Sequence, residues 1–508
     1  MLKRFISKFK KSPADPRQAE IIARQDHDIS RDNISENALK VLYRLKKANY
    51  EGYLVGGGVR DLLLGESPKD FDIVTDATPE EVHALFRNSR LIGRRFRLVH
   101  VVYGRDVIEV ATMRGHHDNA KGKHQSKKSD SGMLLRDNVY GTIDEDAVRR
   151  DFTINALYYD INDFAVHSYA GGMQDLKKRR LRLIGDPATR YREDPVRMLR
   201  AIRFAAKLDF SIDAASASPI KELAPLLLDI PAARLFEEVL KLFMAGYAHK
   251  TFALLEQYHL FEQLFPHTQQ CLNEHQHYRS LVNFALINSD QRVAQGKSLT
   301  PAFLYSVFLW PCLLETARTL REQGVPDVPA MHQAATEVIS NQQAHTSIPK
   351  RFTIPMKEIW DLQRRLERRQ PRQIDSIIGH SRFRAAYDFV LLREQNGEKL
   401  DNAGDWWTHY QQQNPDALYQ KPERPKYNPR NRSRNRRDDG PHRISKGRSD
   451  RSGQGNRDHD DNPHRVSKGE SNRSHSDSPH RVSKGEGHRG HGDGPHRISK
   501  RPRKPSRD

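Results

Sequence analysis

The sequence predicts an α+β head, an all-α neck and body, and a disordered basic tail. Three observations carry this reading. Between Tyr53 and Thr112, short apolar strands alternate with glycine turns and helical segments. From about residue 196 to 400, apolar residues recur at helical spacing and strand signals are sparse. Residues 421–508 hold 25 Lys/Arg and 12 Asp/Glu, and only Ile444, Val466, Val482 and Ile498 are aliphatic, too few to build a core. The divisions fall at 1–30 for a flexible basic arm, 31–170 for the head, 171–235 for the neck, 236–420 for the body and 421–508 for the tail.

Composition narrows the function. A chain of 508 residues has room for two or three domains, and its 36% hydrophobic content reflects polar tails around an ordinary middle. The net charge of +20 makes a polyanion the expected partner. Cys271 and Cys312 lack metal-ligand spacing and read as ordinary thiols in a reducing compartment, so the expected location is cytoplasmic. No run has the length of a transmembrane helix, and the apolar stretch from Phe303 to Leu314 reads as helix core. Residues 1–11 are basic but too weakly apolar for a secretory signal. A basic arm is expected there, with weak contact to a membrane surface as the alternative.

In chain order, Ser35 is the expected N-cap of a helix with Ala38, Val41, Leu42 and Leu45 on one face. Tyr53–Val55 reads as the end of a buried strand, Gly56-Gly57-Gly58 as a turn, and Val59–Leu64 as a short helix. Backbone N–H groups at such a turn, with Arg60 beside them, suit an anion. Asp70-Phe71-Asp72-Ile73-Val74 alternates, which on a strand puts Asp70 and Asp72 on one face; two such carboxylates repel unless a divalent cation lies between them. Thr78-Pro79-Glu80-Glu81 is a capping box that starts a helix through Phe86. Leu91–Val102 and Asp106–Thr112 read as strands. Glu109 is the one acid in the apolar part of the second, Ile108–Thr112, and burial there would require a cation or hydrogen bonds. Residues 115–133 read as a polar basic loop.

Arg149-Arg150-Asp151, followed by Asn155, suits recognition of phosphate and sugar hydroxyls. In Tyr191-Arg192-Glu193-Asp194-Pro195-Val196-Arg197, Asp194 is a credible N-cap with Arg197 over the same face. The ordinary outcome of that spacing is a surface ion pair. The alternative is an acceptor and a planar donor that together meet the edge of a base. Helical patterning follows through Val196, Leu199, Ile202 and Ala206, then Leu235, Val239 and Leu242. Arg364, Arg365, Arg368, Arg369 and Arg372 give the body a basic face. In the tail, Pro-His-Arg-Ile/Val-Ser-Lys recurs from Pro441, Pro463, Pro479 and Pro495, spacing that points to a duplicated linear element in an RNA-gathering arm.

The glycine turn, Asp pair, Arg-Arg-Asp and Glu-Asp-x-x-Arg together resemble the polymerase-beta-type nucleotidyltransferase superfamily, in the branch of bacterial poly(A) polymerases and tRNA CCA-adding enzymes. Within that branch, Leu91 to Val101, with Arg94, Arg95 and Phe96 at its centre, resembles a signature segment of the poly(A) polymerases, as do residues 352–407. The resemblance implies template-independent addition of AMP from ATP to the 3′ ends of mRNA and other RNAs. It implies Mg²⁺ held by Asp70 and Asp72, with Asp151 joining them as a catalytic acid and Glu109 a further candidate ligand. Gly56, Gly57, Arg60, Arg149, Arg150 and Asn155 would hold the nucleotide, Asp194 and Arg197 would select adenine, and Arg94, Arg95 and Phe96 would shape the base pocket. RNA-decay proteins are the implied partners. The alternatives are a CCA-adding enzyme and a non-catalytic RNA-binding protein.

Overall fold

The glycine-strand-helix pattern of the head becomes a mixed sheet in the computed structural model, which describes residues 18–93, 97–115, 126–128 and 134–415, with backbone only at 126–128 and 134–137. All of them lie in one compact unit. The opening stretch adds an edge strand, β1 (Glu20–Ile22), before the helix α1 (Glu36–Lys47) capped by the Ser35 hydroxyl. Ala38, Val41, Leu42 and Leu45 of α1 are all buried, as their spacing requires. Then come β2 (Gly52–Val55), α2 (Gly57–Leu63) and β3 (Asp72–Thr75). The capping box at Thr78 and Glu81 forms both of its hydrogen bonds and opens α3 (Pro79–Leu85).

The segment expected to be one strand over 91–102 is instead two, β4 (Ser89–Ile92) and β5 (Leu98–Tyr103), paired antiparallel from Ser89–Val101 to Ile92–Leu98. Gly93, at φ +87°, breaks the run in a conformation that disfavours a continuous strand. β6 (Asp106–Thr112) has the expected bounds. Within the stretch read as loop, β7 (Ser126–Lys128) forms and pairs with β8 (Leu134–Asp137), just beyond that stretch.

α4 (Ile143–Arg149) begins with a second capping box, and β9 (Leu157–Asp160) and β10 (Val166–Ser168) complete the sheet. The order is β1-β10-β9-β2-β3-β6-β5-β4. All neighbours are antiparallel except β3 and β6, which run parallel with Asp72 opposite Glu109. α5 (Gly172–Lys177) and α6 (Pro187–Glu193) lead to α7 (Val196–Leu208), whose Val196, Leu199, Ile202 and Ala206 are buried.

From Ala232 to Gln413 the described chain is helical. The run from Phe303 to Leu314, expected as one helix core, divides between helices Pro301–Phe308 and Trp310–Glu322. Phe236, Phe243, Phe252, Phe261, Phe265, Tyr305 and Phe308 are fully buried here and stack or meet edge to face, which accounts for much of the body's cohesion. Cys271 and Cys312, 41 residues apart in sequence, bring their sulfurs to 3.9 Å in this core. Among the described residues, no helix is long and apolar enough to cross a membrane.

Candidate active site

The N-terminal end of β3 opens onto a cavity of about 1140 Å³ between the sheet and α7. Gly56, Gly57, Gly58, Asp70, Asp72, Asp151 and Asn155 line the head side, and Arg200, Arg203, Phe204 and Lys207 face them from α7. The turn is possible because Gly56 adopts φ +73°, a region costly for any side-chain-bearing residue. Its N–H donates to the Leu157 carbonyl at 3.2 Å, so this donor braces β2 and does not face the cavity.

The two aspartates line the same cavity, though only Asp72 belongs to the strand. β3 begins at Asp72, and Asp70 lies just before it, where the chain passes Gly58 closely enough that a Cβ there would sit 3.4 Å from the Asp70 carbonyl. Neither carboxylate has an ion pair among the described residues. Asp72 reaches the solvent of the cleft, yet burial of its surroundings raises its pKa to about 6, and Glu109 adds to the rise, with Arg150 opposing and Asp70 contributing further. Glu109 stands in register beside Asp72 on an interior strand of the sheet. It is 45% exposed and lies 3.7 Å from His100 Nε2, so the burial that the strand pattern implied is only partial.

Asp151 is held differently. Its Oδ2 accepts from Arg200 Nε at 2.7 Å and NH2 at 2.5 Å, and its Oδ1 accepts from Asn155 Nδ2 at 3.1 Å and the Phe152 N–H at 2.9 Å. Burial would raise this carboxyl, but Arg200, Asn155 and the Phe152 amide outweigh it and hold it below the usual carboxylate range. Asn155 Oδ1 in turn accepts from Arg60 NH1 at 2.7 Å. Arg60 is 2% exposed, donates to Asp61 through Nε and NH2, and lies over the Phe204 ring at 5.2 Å. A continuous polar chain thus runs from Asp61 through Arg60, Asn155 and Asp151 to Arg200, joining the glycine turn to α7.

Arg149 is buried and donates to the Gly115 carbonyl. Arg150 donates to Asp146 and to Tyr158 Oη at 2.7 Å, and its NH1 would lie 3.6 Å from a Cβ at Gly56. Asp146 is the partner that sequence reasoning missed. Burial pushes its carboxyl up, but Arg150, Arg114 and the Tyr158 hydroxyl pull it down to about 2. An acidic residue three and four positions before a pair of arginines, at helical spacing, is a local signal that could have found it.

Asp194 closes α6 and does not cap α7, whose N-cap position is taken by Pro195 and whose first residue is Val196. Asp194 Oδ2 accepts from Arg234 at 3.0 Å, while Arg197 donates to the Arg190 carbonyl at 2.6 Å and to Glu193 at 3.0 Å. The side chains of Asp194 and Arg197 therefore bond to other neighbours, while the Arg197 N–H donates to the Asp194 carbonyl at 2.9 Å, and neither residue lines the cavity. Arg94, Arg95 and Phe96 fall outside the described residues, as does the repeat tail.

Arg200, Arg203 and Lys207, which carry no acidic or glycine signature in sequence, supply the cationic wall. They recur at three- and four-residue steps on α7, a spacing that could have marked them as one face. Arg203 lies over the Phe204 ring at 4.6 Å, its Nε is buried with no hydrogen-bond partner, and burial together with Arg200 lowers its pKa to about 10. Among the described residues, the acid and histidine ligand atoms that converge within 4.8 Å are those of Asp160, Asp163 and His167, at the far end of β2 from the glycine turn. Asp160 and Asp163 each accept an N–H of their own turn, which accounts for their placement.

Three family models match the chain: a poly A polymerase head domain over residues 52–182, a probable RNA and SrmB-binding site of polymerase A over 209–272, and a polymerase A arginine-rich C-terminus over 323–440. The chain is 51% identical over 418 residues to poly(A) polymerase I of Escherichia coli, covering 81% of this chain and 90% of that protein. It is 38% identical over 217 residues to a CCA-adding enzyme of Lactobacillus helveticus, covering 43% of this chain and 52% of that protein. Among solved structures, the Bacillus stearothermophilus CCA-adding enzyme in complex with CTP shares the fold at a TM-score of 0.50 and 23% identity, over 74% of this chain and 82% of that one.

Proposed function

The chain belongs to the bacterial poly(A) polymerase family, and from that premise we propose that it adds AMP from ATP to RNA 3′ ends without a template. The observation that carries the mechanism is the opposition of charge across one cavity. Asp70 and Asp72, without ion-pair partners, stand on one wall, and Arg200, Arg203 and Lys207 stand on the other.

The crowding that raises Asp72 fits a divalent cation, taken to be Mg²⁺, held by Asp70 and Asp72 with Glu109 as the further ligand. When bound, such a cation lowers the pKa of the RNA 3′-hydroxyl and offsets charge on the leaving pyrophosphate. The chain's own residues do the rest. Gly56 and Gly57 let the triphosphate approach backbone, and Arg60, locked by Asp61 and Asn155, presents a charge that does not reorganise. Asp151 acts from below, fixing Arg200 and Asn155 toward the substrate. Arg150 sets a cation beside the glycine turn, and Arg149 anchors the end of α4. Asp194 and Arg197, each held by neighbours, read the adenine edge, with Arg94, Arg95 and Phe96 shaping the pocket against cytosine.

The match of residues 209–272 to a probable RNA-binding site supports RNA as the second substrate. Polyadenylation of mRNA 3′ ends in the cytoplasm, as part of RNA processing and turnover with RNA-decay proteins, is the cellular role we assign. The test is to incubate the protein with labelled RNA and each nucleoside triphosphate separately. It should extend unstructured RNA with ATP and use CTP poorly. Addition of C, C and A to a tRNA lacking its terminus, with generic RNA ignored, overturns the reading in favour of a CCA-adding enzyme.

A further inference from the structure

The helical body contains a second cavity, of about 540 Å³, that shares no lining residue with the first. It lies among helices Gln276–Ala294, Pro301–Phe308, Lys350–Arg368 and Phe383–Gln395. Its floor is apolar, built from Ala285, Ala302, Phe303, Pro355 and Leu392. Its rim is cationic: Arg292, Lys297, Arg351, Arg382 and Arg384 surround one carboxylate, Asp388. That carboxylate is already matched, by Arg384 at 3.1 Å and Arg292 at 3.9 Å, and Arg382 pairs with Glu358. Lys297 and Arg351 form no close ion pair with a carboxylate among the described residues, Lys297 acting on Asp388 only from a longer distance. Lys297 donates to Gln295 Oε1, and Arg351 lies over the Phe352 ring at 4.9 Å.

We infer that this cavity takes one nucleotide of the RNA strand being extended, its base against Phe303 and Phe352 and its phosphates on Lys297 and Arg351. The inference rests on the reading of this chain as an enzyme that extends RNA. Size, lining and charge agree: the volume suits a single planar base, half-buried aromatic side chains give it surface to pack on, and the cations left unmatched meet the flanking phosphates. An acidic peptide would satisfy the cations but leave the apolar floor without a planar occupant. The cavity would hold RNA upstream of the 3′ end and keep it on the enzyme between additions.

The test uses the full chain and fluorescence anisotropy with labelled oligoadenylate of three and of twenty nucleotides. Lys297→Ala with Arg351→Ala removes the free cations, and Ser298→Trp fills the exposed mouth without changing charge. Both variants should weaken binding of the long RNA about ten-fold and leave the short one unchanged. The double variant should also flatten the salt dependence by roughly 0.7 in slope for each cation removed. Melting temperatures equal to wild type exclude misfolding as the cause. Unchanged long-RNA binding in Ser298→Trp overturns the proposal, as does equal loss for both lengths. A poly(glutamate) peptide that binds wild type as tightly as the long RNA, and loses affinity in both variants, assigns the cavity to protein instead. Binding and extension are read separately, so absence of AMP addition counts against the assigned reaction and not against this cavity.

Discussion

Asp72 and Glu109 stand directly opposite each other on the parallel pair β3 and β6, the one parallel pairing of the eight-stranded sheet. This pairing brings two acids from segments 37 residues apart side by side, and the Glu109 charge adds to the cost of ionising Asp72.

Asp70→Asn and Asp72→Asn should each abolish nucleotide addition, by roughly hundred-fold or more in kcat, while RNA binding survives. The acids would hold a cation and make little contact with the RNA backbone. A loss of about ten-fold or less in kcat, measured with saturating ATP and RNA, would make the pair structural.

Asp72 also predicts a pH dependence. Its pKa rises from 3.8 to about 6 on folding, so the folded state disfavours the ionised form. The group therefore costs nothing below the unfolded value, costs progressively more between about pH 4 and 6, and carries its full cost above pH 6. In protein freed of divalent ions, the stability gained by Asp72→Asn should follow that curve. Because the side chain reaches solvent, the gain should be about 1 kcal/mol or less. Adding Mg²⁺ above pH 6 should raise the melting temperature of wild type and leave the variant unchanged.

Arg200→Ala should destabilise by about 2 to 3 kcal/mol, since it strands the Asp151 carboxylate in a largely buried site. Asp151→Asn in the same chain should recover part of that loss, because the unpaired charge is gone. Urea unfolding measures both. The pair's contribution is present above the ordinary carboxylate pKa near 4 and lost as the pH falls below it, so the two variants should converge toward wild type in acid.

Truncation after residue 420 should leave an enzyme with unchanged melting temperature that binds RNA more weakly and with a shallower salt dependence. The tail carries 25 cations against 12 acids, and that excess would act through phosphate attraction. A clearly lower melting temperature would show instead that the tail packs on the body.

Elements whose signals are local were legible in the sequence. Ser35 and Thr78 cap helices because their hydroxyls satisfy N–H groups three residues on, and α1 and α7 bury the faces their spacing marks. Asp106–Thr112 alternates and is a strand. The glycine turn and the acids of the site were visible as residue types in order. Local patterning could not say that β3 begins at Asp72, that Gly93 splits a strand in two, or that Asp194 closes one helix while Arg197 answers to Glu193. Those outcomes depend on what lies across the sheet or on the next helix. Strand register placed Glu109 beside Asp72, and the docking of α7 on the head turned Arg200, Arg203 and Lys207 into one wall of the site. A charge's partners are set by distance in space, so the sequence determined which groups were present and the tertiary structure decided which of them met.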